Sequence, residues 1–301
     1  MTANVELVDA YELWSSFKNE VLYKNRFLIN HEVLSYLKKL ADANIKIIQP
    51  QTILYRARQF DGDLESMRYF EKKITKDNKE TSEPISALTL ALLKARSNTK
   101  RDPDSGFWGY NKEESFVPSN NDLVNDGRVN PSLIKYLYTA EDAYTAMVEV
   151  RPYLESVVSI AEITVKSPLT IVDFSYDSLG ELKGTEEFLM YLIMQDFSKP
   201  ANLDKKSYIP TQYVAEFIKT LGMDGIRFNS SLHGRGRNLT IFNYEKCEPV
   251  SSSLYELSDI CFEARNISPR GKPDLLHLKL QKARQKQLDE FHKRYWKRHS
   301  K

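Results

Sequence analysis

Residues 136–174 read YLYTAEDAYTAMVEVRPYLESVVSIAEITVKSPLTIVDF. The first four, Tyr136 to Thr139, are aromatic and β-branched enough to predict a short strand. Residues 141–150 have helix-forming composition, and Pro152 stops the helix. Residues 157–165 and 169–174 are dense in Val, Ile, Leu and Phe and predict two strands around a Pro-containing turn. Strand, helix, strand, strand is not the regular alternation of a doubly wound sheet, so the predicted class is α+β.

Working towards the N-terminus, residues 8–43 predict two helices. Leu13, Trp14, Phe17 and Val21 mark one apolar stripe, and Val33, Leu34, Leu37 and Leu40 mark another. Pro50 closes this region, and residues 52–58, TILYRAR, predict a strand that carries Arg56 and Arg58. Residues 61–82 are polar and predict an exposed excursion, followed by an apolar helix over 85–95. Residues 97–132 are a long stretch of Gly, Pro, Asn and Asp, a composition and length associated with function.

Towards the C-terminus, residues 188–194 are apolar on every side, and flanking Glu186, Glu187 and Gln195 favour a buried helix over a strand. Residues 208–221 predict a helix with Val214, Phe217, Ile218 and Leu221 inward. Strands are expected at 224–229 and 238–243, with another at 254–264. A last amphipathic helix, over 274–298, has Leu276, Leu280, Ala283, Leu288, Phe291 and Tyr295 as its stripe. The predicted organisation is a helical region at 1–50, a catalytic domain at 51–265 and a basic helix at 266–301.

Composition narrows the function classes. With 41% hydrophobic and 28% charged residues in a chain of 301, there is ample material for a core. The total charge of +2 is uneven: residues 272–301 carry +7, which leaves −5 for residues 1–271. A basic tail of this kind is either a solvated helix face or a phosphate-seeking surface. Two cysteines, Cys247 and Cys261, with no CxxC pair, fit a reducing compartment rather than a disulfide scaffold. No stretch approaches the roughly 20 apolar residues of a membrane helix, and residues 1–14 lack the pattern of a signal peptide. The expectation is a cytoplasmic protein that binds no membrane.

The chain lacks a dinucleotide fingerprint, a P-loop, an HExxH helix and a GxSxG elbow. Gly234-Arg235-Gly236 is too short for a phosphate loop and reads as a turn. Five scattered His residues offer no metal-ligand spacing, so no metal is expected.

Three blocks remain: GRVNP at 127–131, LYTAEDAYTAMVEVRP at 137–152, and YIPTQYVAEFIKTLGMDGIRFNSSLHGRGRNLTIFN at 208–243. Together, over roughly residues 52–245, they resemble the RES domain family, whose members are mostly NAD-consuming toxins of bacterial toxin–antitoxin pairs. The resemblance falls on Arg128, Asn130, Tyr138, Glu149, Ser230, Asn238 and Phe242, and on Arg56 in the early YRAR. Asn229 departs from the family's usual apolar residue or Pro, and Ser231 competes with Ser230 by one place.

The resemblance implies a fold similar to ADP-ribosyltransferases, with a split β-core, to which the periodicities add flanking helices and helical extensions at both ends. It implies NAD as substrate and Arg128, Tyr138, Glu149 and Ser230 as catalytic residues. Arg56, Arg128, Asn130, Tyr138 and Asn238 are implied as NAD-binding residues. An antitoxin covering the cleft is the partner it suggests; the basic terminal helix could serve that partner, a homo-oligomer or neither, and nucleic acid is not expected. Water, phosphate or a protein side chain could be the acceptor, the last making a protein ADP-ribosyltransferase. Arg58 and Arg151 are the candidates for an extra anion pocket.

The physics fits: guanidinium groups pair with pyrophosphate, a cationic nicotinamide ring stacks on an aromatic face, and a carboxylate stabilises charge building on a ribose. Each residue also has an ordinary alternative. Arg128 could bond loop carbonyls, Tyr138 could be sheet packing, Glu149 could pair with Arg151 or Lys135, and Ser230 could hold a turn. A different class of reading is a ribonuclease similar to the HEPN family, from the spacing of Arg26 and His31; Arg294 and His299 repeat that spacing in the tail. A third is a binding module with the fold but no turnover.

Overall fold

The computed structural model describes residues 2–60, 106–176, 184–199 and 205–260. The expected excursion at 61–82, the helix at 85–95 and the terminal helix at 274–298 lie outside the described residues. Residues 1–152 and 156–256 form one compact unit, to which the following description applies.

Two helices come first, α1 (Thr2–Tyr23) and α2 (Val33–Ala43). In α1 the spacing of Ala10, Trp14, Phe17 and Val21 puts all four on one face, and none is more than 1% exposed. Trp14 stacks on Phe17 with ring centroids 5.2 Å apart. Then follow β1 (Ile45–Ile48), β2 (Ile53–Gln59), β3 (Leu137–Ala140), α3 (Ala143–Glu149), β4 (Val157–Val165) and β5 (Leu169–Asp173). Helices α4 (Gly184–Ser198) and α5 (Ile209–Thr220) cross over to β6 (Gly225–Asn229), and β7 (Arg237–Ile241) and β8 (Cys247–Glu256) complete the sheet.

The eight strands run in the order β1-β5-β6-β7-β3-β2-β4-β8. All neighbours are antiparallel except β5 and β6. The sheet is nearly divided in two: β2 pairs with β4 along its whole length but with β3 only at Tyr55 and Ala140. The α+β class and the split core expected from sequence are therefore both present. Where β2 and β3 diverge, side chains from each half face a common cleft.

Strand periodicity assigns the two faces. Val172, Phe174, Ile226 and Phe228 meet Trp14, Phe17, Leu189, Ile193, Phe197, Val214 and Ile218 under the helices. Their neighbours Ile171, Leu239 and Ile241 join Leu54, Leu137, Ile163 and Val165 on the opposite face.

Two expectations need correction. Strand β1 falls where no separate element was expected; it is a four-residue edge strand with Ile45 and Ile47 exposed. The strand expected at 254–264 lies earlier, at Cys247–Glu256. Its Ser-rich start and Pro249 have little strand propensity. The register shift between Glu162 and Ile163 makes Val250 an extra residue, and an edge strand with a bulge tolerates proline.

Gly225 marks a tight backbone approach in the sheet. A Cβ there would lie 2.5 Å from the carbonyl oxygen of Thr240 and 3.2 Å from the Cα of Ile241. Backbone cannot rotate away as a side chain can, so Gly225→Ala is expected to destabilise the protein by about 1–3 kcal/mol. A lower urea midpoint with an unchanged m-value would show it.

Candidate active site

The cleft between the sheet halves holds a cavity of about 340 Å³. Arg128, Tyr138 and Glu149 all line it, although they come from a loop, a strand and a helix end. Arg56 and Asn238 line it too, with Arg151, Lys199 and Tyr208.

Arg128 sits on a turn whose carbonyls are held by α5. Thr211 Oγ1 donates to the Arg128 carbonyl at 2.6 Å, and Gln212 Nε2 donates to the carbonyls of Gly127 and Asn130 at 2.7 and 3.0 Å. This explains in physical terms why YIPTQ accompanies GRVNP in one sequence. The guanidinium donates from Nη1 to the Asp196 carbonyl at 3.0 Å, near the end of α4. It lies 5.5 Å from the ring centroid of Tyr208. Burial lowers its pKa, and the nearby Tyr208, Glu149 and Tyr138 oppose that shift.

Tyr138 is polarised between two environments. The residue is 37% exposed, whereas its hydroxyl donates to Asn130 Oδ1 at 2.7 Å and accepts the Val129 N–H at 3.1 Å. Burial raises the phenol pKa, against the opposing effect of the Val129 and Asn130 backbone groups and of Arg128. A phenol so held is a protonated, fixed part of the cavity wall.

Asn130 is the hub of the turn rather than part of the cavity wall. It is 3% exposed, and its Nδ2 donates to the carbonyls of Asn125, Pro131 and Ile134 at 3.0–3.1 Å. Its side chain is committed to the loop and to Tyr138. Gly127 has to be glycine: a Cβ would lie 2.3 Å from Asn130 Oδ1 and 2.6 Å from the Tyr138 hydroxyl.

Glu149 ends α3, whose N-cap Asp142 accepts the Thr145 N–H at 2.8 Å. Its Oε1 accepts two bonds of 2.7 Å, from Ser230 Oγ and from Asn238 Nδ2. Neither Arg151 nor Lys135 bonds it. Ser230 also accepts the N–H groups of Leu232 and His233. It is therefore both a turn-former and a donor to the carboxylate, while Ser231 is the serine that lines the cavity. Asn238, expected as an NAD contact, is placed on Glu149.

Arg56 reaches the cleft from β2 and donates to the Ser115 carbonyl at 3.4 Å; burial, aided by Arg58, lowers its pKa to about 10, so it stays cationic near neutrality. Arg58 bonds the Glu114 carbonyl and lies over Tyr110. Arg151, whose φ of 49° is left-handed, lines the cavity. Phe242 is buried against Tyr136, with ring centroids 4.7 Å apart, and belongs to the core.

Sequence reasoning missed Tyr208, Lys199, Thr211 and Gln212; the nearest signal was the helix start at Ile209-Pro210, which aims the first turn of α5 at the loop. Arg26 is exposed, and His31 is spent on Ser16 Oγ and on the Val33 N–H, against Phe17. That favours packing over catalysis for this pair. Cys247 is buried with its thiol pKa pushed up to about 12, chiefly by burial, and is no nucleophile.

The RES domain family profile matches residues 101–257, just over half of the chain. The chain belongs to the RES domain family. Residues of the RES match supply Arg128, Tyr138, Glu149, Ser230 and Asn238, whereas Arg56 lies before it. Among solved structures, a chain in the crystal structure of the M. tuberculosis MbcT–MbcA toxin–antitoxin complex is similar. It is 16% identical, the match covers 74% of this chain and 92% of that one, and the TM-score is 0.37. Comparison with curated proteins gives no match. Among the described residues no helix is long and apolar enough to cross a membrane.

Two consequences of the Tyr138 environment are measurable. Tyr138→Phe leaves the Val129 N–H and Asn130 Oδ1 without this partner, and a loss of about 1–3 kcal/mol in unfolding free energy is expected. A phenol whose folded pKa is raised contributes stability that is complete below its unfolded value, near 10, and is lost as pH rises towards the folded value. Denaturant midpoints followed from pH 9 to 12 should fall less steeply in Tyr138→Phe than in the wild type.

Proposed function

We propose that this chain cleaves the bond between nicotinamide and ribose in NAD, as the toxin of a bacterial toxin–antitoxin pair. The observation that carries the reading is the cavity's charge pattern: one carboxylate, Glu149, anchored through a single oxygen, amid Arg56, Arg128, Arg151 and Lys199.

A dinucleotide pyrophosphate carries two negative charges and needs donors of this kind. Arg128, steadied by the Asp196 carbonyl, presents its remaining N–H groups to it, and Arg56 approaches from the other half of the sheet. The nicotinamide ring, flat and cationic, stacks on the exposed face of Tyr138. Heterolysis sends the bonding pair to the nicotinamide nitrogen, which neutralises that ring and leaves positive charge on the ribose. The free oxygen of Glu149 accepts bonds from ribose hydroxyls and stabilises that charge, while Ser230 and Asn238 keep the carboxylate from turning. Water or inorganic phosphate then adds to the ribose carbon and surrenders its proton. RES family membership supports NAD as the substrate class.

Purified protein incubated with NAD should release nicotinamide. Chromatography of the products with and without phosphate then separates free ADP-ribose from its phosphorylated form, and protein-bound label from tagged NAD would signal a transferase instead. Glu149→Gln, which keeps the size but not the charge, should lower kcat by about 10²–10³. Arg128→Lys should raise KM for NAD about tenfold through loss of paired donors. No nicotinamide release, or an undiminished rate in Glu149→Gln, would defeat the proposal. In cells, expression without a partner should deplete NAD, and an antitoxin that covers the cleft should prevent it.

A further inference from the structure

We infer that His233 is a positioning residue for Glu149, acting through a staple between the 230–236 turn and helix α3. The inference rests on the reading of Glu149 as the carboxylate that acts on NAD.

Thr145 and Glu149 are four residues apart on α3, so they occupy one face, one turn from each other. The turn opposite presents two side chains to that face. Ser230 Oγ meets Glu149 Oε1 at 2.7 Å, and His233 Nδ1 meets Thr145 Oγ1 at 2.7 Å. Thr145 is fully buried, and its hydroxyl also lies 2.6 Å from Asp142 Oδ2. A hydroxyl has one proton. The carboxylate of Asp142 can only accept, so the Thr145 proton goes to it, and the proton on the second contact comes from His233 Nδ1. Asp142, Thr145 and His233 thus form a directed chain from the helix N-cap to the turn.

The turn itself is stiff. Ser230 donates its own N–H to the Gly236 carbonyl at 3.0 Å, and the Gly236 N–H returns to the His233 carbonyl at 2.8 Å. Gly236 is packed so closely that a Cβ would lie 2.4 Å from Thr145 Oγ1 and 2.8 Å from His233 Nδ1. Ser230 Oγ accepts from both Leu232 and His233 N–H groups, which aims its proton at Glu149. With the His233 contact removed, Ser230 supplies the turn's remaining side-chain hydrogen bond to α3, and the carboxylate keeps Asn238 as its firmer partner.

Three full-length proteins test this: wild type, His233→Ala and His233→Asn, whose Nδ2 reproduces the Nδ1 donor. His233→Ala should lower kcat for nicotinamide release roughly tenfold, with KM for NAD within about twofold, as expected for a displaced catalytic group. His233→Asn should recover most of that loss. Amide hydrogen exchange of the 230–236 turn, which needs no turnover, should quicken about tenfold in His233→Ala and not in His233→Asn. Unaltered exchange in His233→Ala would overturn the staple whatever the activity. Quickened exchange with wild-type kcat would overturn the positioning role, as would equal loss of kcat in both variants. A wild-type protein that releases no nicotinamide while exchange behaves as described would defeat the NAD reading and leave the staple standing.

Discussion

A half-buried carboxylate at the wall of a cleft is costly unless its lone pairs are met, and the bonds from Ser230 and Asn238 to Glu149 meet that need. Those two bonds organise much of the molecule around them. They join the end of α3 to β7 and to the turn that precedes it, across a sheet whose halves share only the Tyr55 and Ala140 pairing. Because both donors address the same oxygen, the other is left for a ligand. A symmetric clamp on both oxygens would have made the same residue a purely structural one.

The second anchor is the 127–130 turn. Asn130 gathers three carbonyls and the Tyr138 hydroxyl, while α5 grips the turn's own carbonyls from outside. Arg128 is thereby presented on a rigid mount rather than a free loop, which lowers the entropy lost on ligand capture. Asp196 extends the mount outward. Burial would raise its pKa, but Lys199, Lys18 and the Trp14 indole hold the carboxyl below its ordinary value. The same residue's carbonyl receives Arg128, so α1 and the cleft meet within one residue of α4.

Much of this was legible in the sequence. Long apolar periodicities placed α1, α2, α5 and the central strands, because each buries a continuous face. Ordered blocks placed Arg128, Tyr138 and Glu149 in one cavity, which no single residue could have done. Less legible was anything set by backbone geometry. Strand β8 begins in a Ser/Pro segment whose strand character comes only from pairing with β4. Asn130 and Asn238 were read as NAD contacts and Ser230 as catalytic, and each also bonds a protein neighbour. A motif records that a side chain is needed without saying whether it faces the ligand or a neighbouring side chain. Tyr208 and Gln212 went unnoticed because their partners are loop carbonyls and a guanidinium far away in sequence.

The boundary of family likeness and the boundary of physical integrity do not coincide here. Strand β2, which lies before residue 101, is among the described residues the strand that joins the β4–β8 pair to the rest of the sheet, and Leu54 is a member of its inner core. Helix α1 contributes Trp14 and Phe17 to the other core, against α4 and α5. A chain cut back to residues 101–257 would keep every carboxylate and hydroxyl of the proposed chemistry, yet it would bare both hydrophobic faces and part β4–β8 from the remaining strands. In this chain the stretch shared with the family thus covers one part of an object whose scaffold the flanking segments complete.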